Sequence, residues 1–326
     1  MQTDVGKPFD MDAASNKSHM NRRTGNIFKL IWKNRMIYTL LLPGLAWYII
    51  FAYGPMGGLT LAFKTYRAIQ GIWGSPWSGL LNFKRVFADP AFMDSIYRTL
   101  YINAGRLIFQ FPVPIILALI LNEIKLGRYK KTIQTILTFP HFLSWVIITS
   151  IILNVLASDG LVNNFIAIIG LDRIGFLSST KMFQPMLYIT AIWKESGWGA
   201  IIYLAAIAGI DMDQYEAADI DGASRMQKIL NITIPNIVPA IIVMFILATG
   251  RIMSDGFDQI FNLNNVAVRK VAETLDMYIY NVTFLGPTDF SFSMAVSLFR
   301  STINMTLLLI ADRGAKLMGG EGLLPS

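Results

Sequence analysis

The chain is 326 residues long, 54% hydrophobic and 15% charged, with a formal net charge of +7. So apolar a balance excludes a water-soluble surface and indicates a membrane protein. Cysteine is absent, which excludes disulfides, thiolate metal sites and a thiol nucleophile within the chain.

Residues 1–35 are rich in Asn, Ser, Asp and Lys and read as a polar N-terminal tail. They precede the first apolar run, and no small-residue cleavage site follows that run, so a cleavable signal peptide is not expected. Crossing a hydrocarbon core of roughly 30 Å takes about 17 to 25 apolar residues. Six stretches qualify: 36–53, 98–122, 132–157, 183–210, 237–256 and 292–311. Six spans place both ends of the chain on one side. Segments 1–35, 123–131, 211–236 and 311–326 hold fifteen Lys and Arg, whereas 55–97, 157–181 and 257–290 hold eight. The positive-inside rule makes the first set cytoplasmic and explains the excess charge without invoking nucleic acid. The expected fold is an all-α membrane protein of six transmembrane helices. A cytoplasmic tail (1–35) precedes a six-helix domain (36–311), and a cytoplasmic tail (312–326) follows it.

Charges inside a bilayer are costly, so those within spans should face the bundle interior or a wet cavity. They are Arg106 in the second span, Lys194 and Glu195 in the fourth, Arg251 and Asp255 in the fifth, and Arg300 in the sixth. One reading is internal pairing, such as Arg251 with Asp255 four residues on, or snorkelling of Lys194. The other is a polar path. Ala191, Lys194, Glu195 and Trp198 fall on one stripe of the fourth span, and Ala248, Arg251, Ile252 and Asp255 on one stripe of the fifth. Trp145, Trp193 and Tyr188 read as packing or interface aromatics. The two histidines, His19 and His141, form no metal-binding cluster, so no metal is expected.

The loop 211–236 carries helix punctuation. Asp213 with Glu216 fits a capping box, Asp221-Gly222 stops the first helix, and Ser224 with Gln227 opens a second. The predicted loop is two helices at an angle. Ala217 and Ala218 allow another protein to approach the first helix closely. On the residues alone, Glu216 is either a cap or a charge held ready for a cationic partner.

Glu216-Ala217-Ala218, three residues, Gly222, nine residues and Ile232-Thr233-Ile234-Pro235 resemble the EAA motif of ATP-binding-cassette importer permeases. Ile234 stands where that pattern has Leu, a nearly volume-neutral exchange. The resemblance extends to Asp221-Gly222-Ala223-Ser224 and to Ile192-Trp193-Lys194-Glu195-Ser196-Gly197-Trp198, covering roughly residues 36–315. Within the family, the chain resembles the carbohydrate branch of maltose-type importers. Gly256-Phe257-Asp258-Gln259-Ile260-Phe261-Asn262-Leu263, with Glu273-Thr274-Leu275-Asp276, is similar to permeases for oligosaccharide and polysaccharide fragments, including alginate and aldouronate systems.

The resemblance implies a non-catalytic transport subunit of the bacterial cytoplasmic membrane. It implies as partners a second, homologous permease, two ATPase subunits and an extracytoplasmic solute-binding protein. ATPase docking would fall to Glu216, Ala217, Ala218, Asp221, Gly222 and Pro235. No cofactor is expected on this chain. ATP and Mg would bind the partner ATPases, in keeping with the lack of a phosphate-cradling Gly-x-x-x-x-Gly-Lys-Ser/Thr loop.

In maltose-type permeases the helices flanking the EAA loop carry sugar-contacting positions. Lys194, Glu195, Trp198, Arg251 and Asp255 are therefore expected path residues, and Arg106 and Arg300 join them as the other cations within the spans. Arginine grips carboxylates bidentately, so excess positive charge favours an acidic oligosaccharide such as alginate over a neutral one. A membrane-embedded transferase would need facing acids, a nucleophile-base pair or a metal site, none of which is visible. An autonomous secondary transporter would show internal repeats, and none is evident.

Overall fold

The structure, a computed structural model, describes residues 32–124, 127–286, 288–317 and 322–323. Most of the expected N-terminal tail with His19, Lys125 of the basic stretch 123–131, and much of the expected C-terminal tail lie outside these residues. The chain divides into two units, Met1–Thr60 and Leu61–Ser326. Among the described residues there is no strand, only an isolated antiparallel bridge between Lys64 and Trp77.

In the first unit, helix α1, Arg35–Tyr48, has Pro43 in its interior. Proline has no N–H, so one bond of the helix ladder is missing there. The helix widens into a π-turn, Ile49–Tyr53, and tightens into a 3-10 stretch that starts at Gly54. Trp47 packs on Phe51 at 5.8 Å between ring centroids, and Tyr48 on Tyr53 at 5.5 Å.

In the second unit a short helix α2, Leu81–Ala88, leads into α3, Pro90–Phe109. Asp89 caps α3 by accepting from the Ala91 N–H at 2.9 Å, and Pro90 supplies a first residue whose missing donor costs nothing. After a bend at Gln110 and Phe111 the chain continues as α4, Pro112–Glu123. Together they form the apolar run Pro90–Glu123, which contains the expected second span.

The expected third span, 132–157, is not one helix. Helix α5, Gly127–Thr138, ends in a 3-10 turn, Phe139–Phe142, because Pro140 cannot donate to the ladder. Leu143 is extended, and Ser144 accepts from the Ile147 N–H at 3.3 Å to start α6, Trp145–Leu156. The stretch long and apolar enough to cross a membrane is instead Trp145–Ile168, which includes α7, Leu161–Ile168.

Helix α8, Thr180–Ala208, is 29 residues long and the organising element. It packs on α4 and α5 through small residues: a Cβ on Gly197 would lie 2.0 Å from the Leu137 carbonyl oxygen, and one on Gly199 3.1 Å from Pro114. Between membrane helices, small residues of this kind let the backbones approach. The loop helices α9, Met212–Ile220, and α10, Arg225–Lys228, come next. The chain then passes through a π-turn, Ile229–Thr233, into α11, Ile234–Thr249. The expected fifth span overran here, because residues 250–256 are turns rather than helix. Helices α12, Phe257–Leu263, and α13, Leu275–Tyr280, precede the closing helix α14, Phe290–Leu317.

Among the described residues, five helical stretches are long and apolar enough to span a membrane: Arg35–Phe63, Pro90–Glu123, Trp145–Ile168, Arg225–Thr249 and Phe290–Leu317. The expected fourth span, within α8, is not among them. At 1.5 Å per residue α8 reaches about 43 Å, so length is no obstacle. Its lower apolarity follows from Gln184, Lys194, Glu195, Ser196 and the glycines, several of which are buried against neighbouring helices instead of facing outward.

Candidate functional site

Helices α3, α4, α8 and α11, with the turn 250–256, enclose a cavity of about 510 Å³. Its wall includes Arg106, Glu195, Trp198, Tyr203, Arg251 and Asp255. Five of the seven expected path residues therefore meet in one place. Lys194 and Arg300 do not line it. On α8, Glu195, Trp198 and Ile202 lie three and four residues apart, which puts all three on one helix face. A second recess of about 380 Å³ shares Arg106, Gln110, Glu195 and Asp255 with the first.

The charges pair differently from the local expectation. Asp255 does not bind Arg251. It accepts from Arg106 Nη1 at 3.1 Å, and Arg106 Nη2 donates to Gln259 Oε1 at 2.5 Å. Gln259 in turn donates to the Leu187 carbonyl and to Thr190 Oγ1, each at 2.8 Å. The guanidinium lies against Gly256, where an added Cβ would stand 2.3 Å from Nη2. Gly256 also has φ +87°, a left-handed conformation that glycine adopts freely. With a side chain only 8% exposed, Arg106 is a cross-link between α3 and the segment after α11.

Lys194 does not snorkel. Its buried ammonium donates to the His141 carbonyl at 2.7 Å, pairs with Glu195 Oε1 at 3.2 Å, and lies 5.7 Å from the centre of the Trp145 ring. Arg300 is paired with Asp276. That leaves Arg251, exposed on the cavity wall; among the described residues no hydrogen bond or ion pair engages its guanidinium.

His141 joins the site although the sequence gives no sign of it. Its imidazole stacks on the Trp198 indole at 4.6 Å with planes 3° apart, and its Nδ1 is 2.7 Å from Glu195 Oε2. Gln259 is equally hidden in the sequence. Its signal is the resemblance around residues 256–263, which marks the segment without showing that Arg106 is its partner.

In the loop 211–236 the second capping box is present. Ser224 accepts from the Gln227 N–H, and the Gln227 side chain accepts from the Ser224 N–H. Gly222 has φ +74°, as a helix-ending turn requires. The expected Asp213–Glu216 box is replaced by a cap two residues earlier, because Asp211 takes the extended conformation of an N-cap and accepts from the Asp213 N–H at 3.1 Å. Glu216 is therefore not a cap; it is exposed, and no described residue bonds to its carboxylate. Ala217 and Asp221 are exposed beside it, and Ala218 is half-buried. Three contacts hold α9 against α10, the π-turn and the start of α11: Lys228 to Asp219 at 2.5 Å, Tyr215 to Thr233 at 2.9 Å and Asn236 to Gln214 at 3.1 Å. Pro235 follows the π-turn as an early residue of α11.

Outside the cavity, the buried Tyr278 hydroxyl donates to Asp89 Oδ2 at 2.5 Å, tying α13 to the cap of α3. Burial, then the bond to Asp89 and the nearby negative charges, push the Tyr278 phenol well above its ordinary range.

Residues 110–313 match the family described as binding-protein-dependent transport system inner membrane components. The chain belongs to this family of permeases. It is 40% identical to the polygalacturonan/rhamnogalacturonan transport system permease protein YteP of Bacillus subtilis over 99% of this chain and all of that one. It is 42% identical to Protein LplB of the same organism over 89% of this chain and 92% of that protein. Its fold is similar to a chain of a bacterial alginate ABC transporter in complex with an alginate pentasaccharide-bound periplasmic protein. That match has a TM-score of 0.83 and 35% identity, and covers 91% of this chain and all of the other. As a permease the chain is a multi-pass membrane protein, and family membership sets aside the embedded transferase.

Proposed function

We propose that this permease carries acidic oligosaccharides into a bacterial cell, as one of two membrane subunits of an ATP-driven, binding-protein-dependent importer in the cytoplasmic membrane. The observation that carries the reading is Arg251. In a cavity also walled by Trp198, its guanidinium is the cation whose charge no described neighbour takes up, whereas Arg106, Lys194 and Arg300 are paired. A planar fork of donors suits a carboxylate, and an indole face suits the apolar side of a sugar ring. Polygalacturonan and alginate, named for the relatives above, are both chains of uronic acids, which supports an acidic substrate.

In this reading α8 is a sixth span, both ends of the chain are cytoplasmic, and the loop 211–236 is the coupling element. The exposed Glu216, with Ala217, Ala218, Asp221 and Gly222, meets one of two ATPase subunits, which bind ATP and Mg. The solute-binding protein delivers substrate from the opposite side.

The test is uptake by the complete transporter in proteoliposomes, with trigalacturonate and maltotriose as acidic and neutral probes. Arg251→Ala should raise the KM for trigalacturonate by about tenfold or more, the worth of a lost charge-assisted contact, and leave maltotriose nearly unchanged. Equal handling of both probes by wild type and variant would remove the acidic assignment. Glu216→Lys should abolish ATP-driven uptake without loss of the protein from the membrane; intact uptake would remove the docking assignment.

A further inference from the structure

Glu195 and Asp255 bring two carboxylates into the cavity where Arg251 is free. Left bare, either would repel an anionic ligand, since like charges brought together in a partly desolvated site weaken binding. Asp255 is covered by Arg106. Glu195 is covered twice: Oε1 lies 3.2 Å from Lys194 Nζ, and Oε2 lies 2.7 Å from His141 Nδ1, whose N–H donates to it. The imidazole that masks Glu195 also backs the Trp198 indole at 4.6 Å, and Phe142 closes another side of that indole at 5.8 Å. Lys194 in turn holds the His141 carbonyl at 2.7 Å, so the 3-10 turn that carries the histidine is tied to the helix it serves.

We propose that His141 is a specificity-positioning residue, which masks the Glu195 carboxylate and seats Trp198 so that the wall accepts anionic saccharides. The inference rests on the cavity's being a saccharide path, and the experiment separates the two. His141→Phe keeps an aromatic ring under Trp198 and removes the donor to Glu195. In the reconstituted transporter it should raise the KM for trigalacturonate by about threefold or more, the repulsion of an anion by a carboxylate that has lost one of its two donors, with maltotriose changed less than about twofold. Adding Glu195→Gln should restore most of the acidic affinity by removing the charge that was uncovered. An equal change for both probes, or no recovery with Glu195→Gln, would overturn the proposal, because a merely structural histidine would behave in that way.

A second measurement needs no substrate. The chain has no cysteine, so Ile202→Cys places a single thiol of this chain on the cavity wall. Labelling at position 202 by iodoacetate relative to iodoacetamide should fall several-fold with His141→Phe and recover with Glu195→Gln. If that ratio responds while neither saccharide is carried by the wild-type complex, the substrate reading fails and the masking of Glu195 stands. If the ratio does not respond, the masking itself is refuted.

Discussion

Replacing Arg106 with Met separates the cross-link from the rest of the cavity, because Met retains much of the side-chain volume and removes the guanidinium. Two bonds are lost, Nη1 to Asp255 at 3.1 Å and Nη2 to Gln259 at 2.5 Å. Breaking a fully buried ion pair by deleting one partner costs about 3–5 kcal/mol. The Asp255 side chain is 52% exposed, so water recovers part of that term and it falls toward about 1–2 kcal/mol. Gln259 is fully buried and its Oε1 is left without its donor, which adds about 1–2 kcal/mol. The expected loss is therefore about 3 kcal/mol, roughly two powers of ten in the folded-to-unfolded ratio.

Unfolding in mixed detergent micelles, compared among wild type, Arg106→Met, Asp255→Asn and the double variant, measures it. The double variant should be less destabilised than the sum of the single ones by about 1 kcal/mol or more, since the two residues touch. A loss below about 0.5 kcal/mol for Arg106→Met, or strict additivity with Asp255→Asn, would refute the cross-link. Gly256→Ala attacks the same contact from the other side, because the new methyl would sit 2.3 Å from Nη2 at a φ of +87°.

Gly197→Ala should destabilise the packing of α8 on α5 by at least about 2 kcal/mol, since the added Cβ would lie 2.0 Å from a backbone oxygen that cannot swing away; an unchanged unfolding midpoint would contradict the close approach. Tyr278→Phe removes the donor to Asp89 and should cost about 1–2 kcal/mol near neutral pH. Because the folded-state value of Tyr278 is raised above its ordinary 10.0, the neutral phenol's contribution is complete below about pH 10 and is lost as pH rises beyond it. An alkaline unfolding series should therefore fall more steeply for wild type than for Tyr278→Phe, and parallel curves would argue against the bond.

The sequence alone determined whatever depends on near neighbours. Apolar run length located the first, second and sixth expected runs inside helices long and apolar enough to cross a membrane, and only overlapped those at Trp145–Ile168 and Arg225–Thr249. In the loop 211–236, Ser224 with Gln227 and the glycine at 222 set the turn between α9 and α10, because caps and left-handed glycines are local devices. Apolarity could not show that Pro140 and Ser144 divide the third run, nor that α11 stops at Thr249, since chain breaks depend on backbone hydrogen bonds that hydropathy does not register. Of the stripe read on α8, Glu195 and Trp198 line the cavity and Ala191 and Lys194 do not, and the charge pairs were decided only by the tertiary structure. Arg106 meets Asp255 across 149 positions of chain, and His141 meets Glu195 across 54. Arg251 and Asp255, four residues apart, remain unpaired with each other because the segment between them is turns, not the helix that the spacing presumed. Which cation is left free is thus a property of how distant helices pack, and it is that free cation on which the substrate assignment rests.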